Sequence, residues 1–129
     1  MQDRPSPAEV IGAVAAFLKN VVAADTTGAT SFQARVAANA LEMMKRELET
    51  APAEDAAELA RLRTLLGIDG ELFDLNAELC RRIEAGEIDL ETPGLKDHIW
   101  ATTLAKLAVD QPTYGGYRAA LVERSGAKA

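Results

Sequence analysis

Cysteine and histidine are almost missing from this chain: its 129 residues hold one of each, Cys80 and His98. A single cysteine excludes an internal disulfide and a cysteine-based zinc site. It suits a reducing compartment, so a cytoplasmic location is expected. A single histidine excludes the paired Glu-x-x-His units of a di-iron bundle. The His-Glu-x-x-His helix of zinc proteases is absent too, so no cofactor is expected. One histidine also limits any nucleophilic triad, and no Gly-x-Ser-x-Gly elbow occurs. Neither a GxxxxGK[ST] loop nor a GxGxxG turn is present to cradle phosphate.

Cations are in the minority, 14 Lys and Arg against 20 Asp and Glu, for a net charge of −6. With no basic block, the chain lacks the footprint of a nucleic-acid binder or of a protein held on an anionic membrane. No stretch approaches the ~20 apolar residues of a bilayer span. Asp3 and Pro5 precede an amphipathic first run, unlike a secretion leader. Period-two alternation, which would mark strands, is also missing.

What remains is helix-forming sequence. Hydrophobic residues make up 48% of the chain, dominated by Ala and Leu, with aromatics at 5%. These values favour a folded all-α domain. One domain over 1–129 is expected, with 1–5 and 125–129 flexible. Ser6, Pro7 and Glu9 give a cap, an N1 proline and a capping-box acid, so the first helix spans 7–24. Asp25 to Ser31 reads as a loop. The second helix, 32–50, carries Phe32, Met43, Val36, Ala40, Met44, Ala37, Leu48 and Leu41 on one broad arc, with Thr30 and Gln33 as its capping box. That breadth makes it the central helix, in contact with two or more others. Pro52 separates it from a third helix, 53–66, closed by Gly67. Asp69 caps a fourth, 70–85. Thr92 and Pro93 open a fifth, 93–110, stopped by Pro112. Tyr114 to Tyr117 reads as a turn, followed by one last helical turn at 118–123. The expected fold is a bundle of about five mostly antiparallel helices. The fifth looks apolar on more than one side, which makes self-association an expectation.

Few residues suggest chemistry. Cys80 is expected to be a buried, inert thiol, and His98 a partly buried or rim histidine. Asp55-x-x-Glu58, then Glu71-x-x-Asp74, resembles the magnesium-binding carboxylates of all-α nucleotide pyrophosphohydrolases, although Asp55 stands where that family has Glu. Solvated helix faces explain the same four residues. Asn76 falls within the apolar face of its helix, Lys106 near the Leu95–Ile99 side, Glu47 within the second helix's arc and Asn39 on its rim. Buried polar groups need partners. They are expected either to fix helix register or to line a polar cleft between the second, fourth and fifth helices that takes a small molecule or anion or a partner's side chain.

The pieces FQARVAANAL (32–41), LCRRIEAGEID (79–89) and ATTLAKLAVDQPTY (101–114), with RPSPAEVIGAVAAFL (4–18), resemble a family of small uncharacterised bacterial helical proteins. The resemblance implies a gene neighbourhood shared with aminoglycoside-phosphotransferase-like kinases and acyl-CoA dehydrogenases. It therefore implies a non-catalytic accessory role beside such a kinase. The family supplies no catalytic residues. Within its motifs Arg35, Asn39, Thr102, Thr103, Lys106, Asp110 and Tyr114 are the polar positions to examine, with Asn76 beside them. Between 19 and 29 the chain departs from the family pattern, where an acidic, proline-containing link is expected.

Overall fold

The computed structural model describes residues 4–126. Five helices follow one another: α1 (Pro7–Asp25), α2 (Gly28–Leu66), α3 (Leu72–Glu84), α4 (Leu95–Asp110) and α5 (Gly115–Gly126). Among the described residues there is no strand, and the all-α expectation holds. The helices group into two compact units that meet inside α2, between Thr50 and Ala51.

The first unit is an antiparallel hairpin of α1 and the opening of α2. Its start follows the capping-box expectation: the Ser6 amide donates to Glu9 Oε2 at 2.6 Å, and the Glu9 amide to Ser6 Oγ at 3.2 Å. Two contacts fix the hairpin's direction. Ser31 Oγ donates to the Ala23 carbonyl at 2.8 Å near the turn. Towards the open end, Gly12 lies against the Lys45 side chain, so closely that a Cβ would sit 3.4 Å from Lys45 Cδ. The seam is built of small residues: Ala15, Ala23, Ser31, Ala34 and Ala38 are all buried. Ala15 and Ala23 are eight residues apart, and a regular helix would rotate them roughly 80° from each other. Leu18–Val22 wind as a π-helix. The extra residue of such a bulge takes back about 100°, which returns Ala23 to the seam.

Two expectations about α2 are overturned here. Its wide apolar arc does not pack on several helices: Phe32, Val36, Met43, Met44 and Leu48 are exposed, and the buried side is the Ser31–Ala34–Ala38 line. Small side chains win the seam because they let backbones come close. The helix also begins at Gly28, so Thr30 lies inside it rather than capping it.

Pro52 does not end the helix either; α2 runs through it for 39 residues. Proline's fixed φ is helical, and its cost is the lost N–H bond and the crowding of the carbonyl four residues back, here Leu48. The flanking Ala51, Ala53, Glu54, Ala56, Ala57 and Glu58 are mostly strong helix formers. Their summed preference carries the helix through the defect.

The second unit holds the leucine core. Leu62, Leu66, Leu75, Leu79, Ile88 and Leu95 form one buried cluster, with Leu59, Leu65 and Leu72 against it. Each fully buried leucine contributes about 1.5–3 kcal/mol. The end of α2 is tied to α3 where Glu58 meets Asn76 and Leu66 meets Arg82, pairs that advance in the same direction along both helices. It runs antiparallel to α4, since Arg61 meets Thr102 and Leu65 meets Gly94. Gly67, at φ 67°, ends α2 as expected. Arg82 then satisfies the Leu66 carbonyl at 3.0 Å while its Nε bonds Glu78 at 2.7 Å. Glu78 also holds Arg81, and these two arginines lower its carboxyl to about 2.

Asp69 does not cap α3. Its carboxylate bonds the Gly70 amide and pairs with Arg63 at 2.6 Å, and α3 starts two residues later, at Leu72. Thr92 braces the turn before α4 by accepting from the Asp89 amide at 3.0 Å, so the helix opens at Leu95. Beyond Pro112, the expected turn at 114–117 is instead the start of α5 at Gly115. Ala120 buries its side chain.

Candidate functional site

The sequence candidates scatter. Arg35 and Asn39 are exposed on α2 in the first unit, and Thr103, Lys106, Asp110 and Tyr114 are exposed in the second. Glu47 is exposed too. None of these needs a buried partner, because none is buried. Asn76 is half-buried and fully engaged: its Nδ2 donates to Glu58 Oε1 at 2.8 Å and to the Leu72 carbonyl at 3.1 Å. That contact ties α3 to α2, as the register-fixing alternative expects. Thr102 accepts a long bond, 3.5 Å, from Arg61. Asp55, Glu58, Glu71 and Asp74 are not gathered into a metal-capable group of three or more, and no such group occurs among the described residues. Cys80, expected to be buried, is exposed.

A cleft opens in the second unit where the sequence names no site. About 400 Å³ lies between Ala60, Arg61, Thr64 and Leu65 of α2 and Pro93, Gly94, Asp97 and His98 at the start of α4. A second space of about 470 Å³ shares Arg61 and Asp97 and continues along Trp100, Ala101, Ala120 and Glu123. Helix register explains the first wall: Ala60, Arg61, Thr64 and Leu65 are neighbours at one, three and four residues. The second wall depends on Gly94. At φ 88° it takes a left-handed conformation and precedes α4 without a side-chain cap. The positive end of α4 therefore faces this region uncapped.

Two polar atoms in the cleft wall are buried without a hydrogen-bond partner, Arg61 Nε and His98 Nδ1. His98 is only 4% exposed. It lies on the line of α4 that runs Leu95, His98, Val109, all buried, with half-buried Thr102 between them at helical spacing. Burial holds its imidazole below the ordinary histidine value. Glu58 pulls it upward and Arg61 adds to the lowering. Arg61 and Asp97 share both spaces, yet make no ion pair with each other. Reading the sequence missed Arg61 altogether. The signal was there: Arg61 stands beside Leu62 on the inward line of α2, where a cation needs a reason.

The first unit offers a surface rather than a cleft. On α1, with Ala15 at zero, Val10, Val14 and Phe17 fall between roughly 200° and 260°, away from the seam. Val21 follows at the same three-and-four spacing, and all four are exposed. On α2, Phe32, Val36 and Met43 lie opposite Ala34, Met44 and Leu48 lie towards the flank of the seam, and all five are exposed. By length and composition, α1 is long and apolar enough to cross a membrane, and little of it is buried. Reading the sequence as lacking any such stretch understated this helix.

Comparison with curated proteins and with solved structures found no match. A family match does exist, over residues 24–114, which spans the hairpin turn, the whole leucine core and the cleft's first wall and floor. The chain belongs to the family described as a domain of unknown function (DUF6285).

Proposed function

We propose that the protein is a non-catalytic accessory module that docks on a phosphotransferase-like small-molecule kinase through the apolar outer stripes of its first unit. One observation carries this reading. Val10, Val14, Phe17, Val21, Phe32, Val36, Met43, Met44 and Leu48 are each about half exposed, with exposures from 39% to 66%. Each stripe offers on the order of 400 Å² of apolar surface, the size of patch that marks an interaction site on a soluble chain. The resemblance to proteins encoded beside such kinases supplies the partner class.

Mixing the purified chain with the kinase at micromolar concentration tests this directly. Co-migration in size-exclusion chromatography is expected, and Val14→Glu with Phe17→Glu weakens it at least tenfold. Absence of any complex defeats the proposal. Self-association is the competing occupant of the same stripes. Sedimentation of the chain alone distinguishes it: a dimer that the same two substitutions dissolve replaces the kinase as the partner.

A further inference from the structure

The apolar stripe of α1 and the apolar flank of α2 belong to one face of the hairpin, two helices wide. We infer that the partner meets this face with two antiparallel amphipathic helices, which complete a four-helix layer. This deepens the docking reading above and rests on it. The argument starts from direction. In an antiparallel pair of right-handed helices, equal turns away from the seam carry both helices to the same side. On α1, counted from Ala15, Lys19, Gly12 and Glu9 fall at roughly 40° to 120°, and Val10, Val14, Leu18 and Ile11 at roughly 220° to 320°. On α2, counted from Ala34, Lys45, Glu42, Arg35 and Arg46 fall at roughly 20° to 120°, and Ala40, Met44, Leu48 and Leu41 at roughly 240° to 340°. Gly12 packs on Lys45, so the two polar sides meet as that geometry requires. The hairpin therefore has one charged face and one apolar face.

Spacing then selects the partner. Val10, Val14, Phe17 and Val21 follow one another at four, three and four residues, and so do Ala37, Leu41, Met44 and Leu48. That is the repeat of a helix-packing seam, and each such seam is filled by one facing helix. One helix laid between α1 and α2 would reach the inner edges, Leu18 and Leu41, and leave the outer side of α1 bare. Phe17 there is 55% exposed, and Met44 on α2 is 51% exposed. A helix above each seam covers both. With the half-buried Ile11, Leu18 and Leu41, the face offers on the order of 600 Å², one partner's share at the lower end of specific interfaces. On α2 polar groups fall at its ends, Gln33 near the turn and Glu47 near the open end, as a polar rim does around an apolar centre.

The full chain and the same kinase, both purified, test this by binding and by hydrogen exchange. In the complex, two helical segments of the kinase gain protection together with α1 and the opening of α2. Met44→Glu, on the α2 seam, weakens the complex at least about tenfold, as Val14→Glu does on α1. Asn39→Glu adds the same charge at an exposed position on the other face and changes affinity by less than about twofold. Circular dichroism checks that each variant folds, and Met44→Gln stands in where the glutamate does not. A complex that Met44→Glu leaves intact, or that Asn39→Glu weakens as much, overturns the inference while the docking reading stands. Protection of a single kinase helix, or of none, does the same. A dimer of the chain, or binding to phosphatidylglycerol vesicles, that Met44→Glu abolishes gives the face to a second copy or to lipid, and overturns it too. No complex at all removes the docking reading itself and this inference with it.

Discussion

Pro52 is the place where the physics of this chain is most open to measurement. It sits inside α2, fourteen residues from the closing Leu66. A proline in a helix interior costs about 3 kcal/mol against alanine, from the lost N–H and the clash with the carbonyl four residues back. Part of that has already been relaxed, because α2 stays helical on both sides. Part is offset in the unfolded chain, which proline stiffens by about 0.4–1 kcal/mol. Pro52→Ala should therefore stabilise the protein by about 1–2 kcal/mol. Pro52→Gly removes the same clash but lacks alanine's helix preference by about 1 kcal/mol, so it should fall between alanine and proline. Urea unfolding followed by far-ultraviolet circular dichroism reads both, and backbone chemical shifts from Arg46 to Asp55 read the helix itself. An alanine variant no more stable than the natural chain, or non-helical shifts at Thr50 and Ala51, would refute a continuous helix that tolerates a local defect.

Other consequences follow from the same geometry. Leu62 has no exposed surface, so Leu62→Ala should lose about 3–5 kcal/mol in urea unfolding; a loss below about 1 kcal/mol would mean the leucine cluster is not the core. His98 has a folded value pushed below the ordinary 6.5 by burial. Its neutral form is favoured by the fold, so this stability is fully present above pH 6.5. It is lost as the pH falls from there through the lowered value, and His98→Gln should erase that segment of the stability profile. Gly94 holds φ 88° with a Cβ position 3.9 Å from Leu65. Gly94→Ala should cost about 1–2 kcal/mol from the left-handed conformation alone, whereas Gly115→Ala, with open space around it, should cost nothing measurable.

Much of the fold was legible because its signals are local. The Ser6–Glu9 box, the Gly67 stop, the Leu59–Leu66 and Leu72–Leu79 lines and the Pro112 break each depend on residues within one or two turns, and each is found as expected. The misreadings share one cause: a strong local mark yielded to a weaker sum. Pro52 reads as a break, but a dozen helix-forming neighbours outweigh it. Thr30 and Gln33 read as a cap, but Gly28 starts the helix two residues earlier. Gly115 and Gly116 read as a turn, but Arg118 to Glu123 draws them into α5. In the hairpin, size misled. Large apolar residues on α2 looked like the buried face, yet closeness of backbones decides a two-helix seam, and alanine gives the closest approach.

The cleft was hard to see for a different reason. Its parts are ordinary where they stand: an arginine beside a leucine on α2, an aspartate in the first turn of α4, a histidine on an apolar line. Only folding brings Arg61 and Asp97 to shared spaces, across thirty-six residues of chain, and only folding shows that they do not pair. The one sequence clue was the position of His98, on the same three-and-four spacing as Leu95 and Val109. A histidine on such a line must be either bonded or waiting for a bond. Its Nδ1 has no partner, whereas Asn76, equally suspect in the sequence, has two. Asn76 therefore ties α3 to α2, whereas His98 is buried on its apolar line as an imidazole whose charged form that burial disfavours.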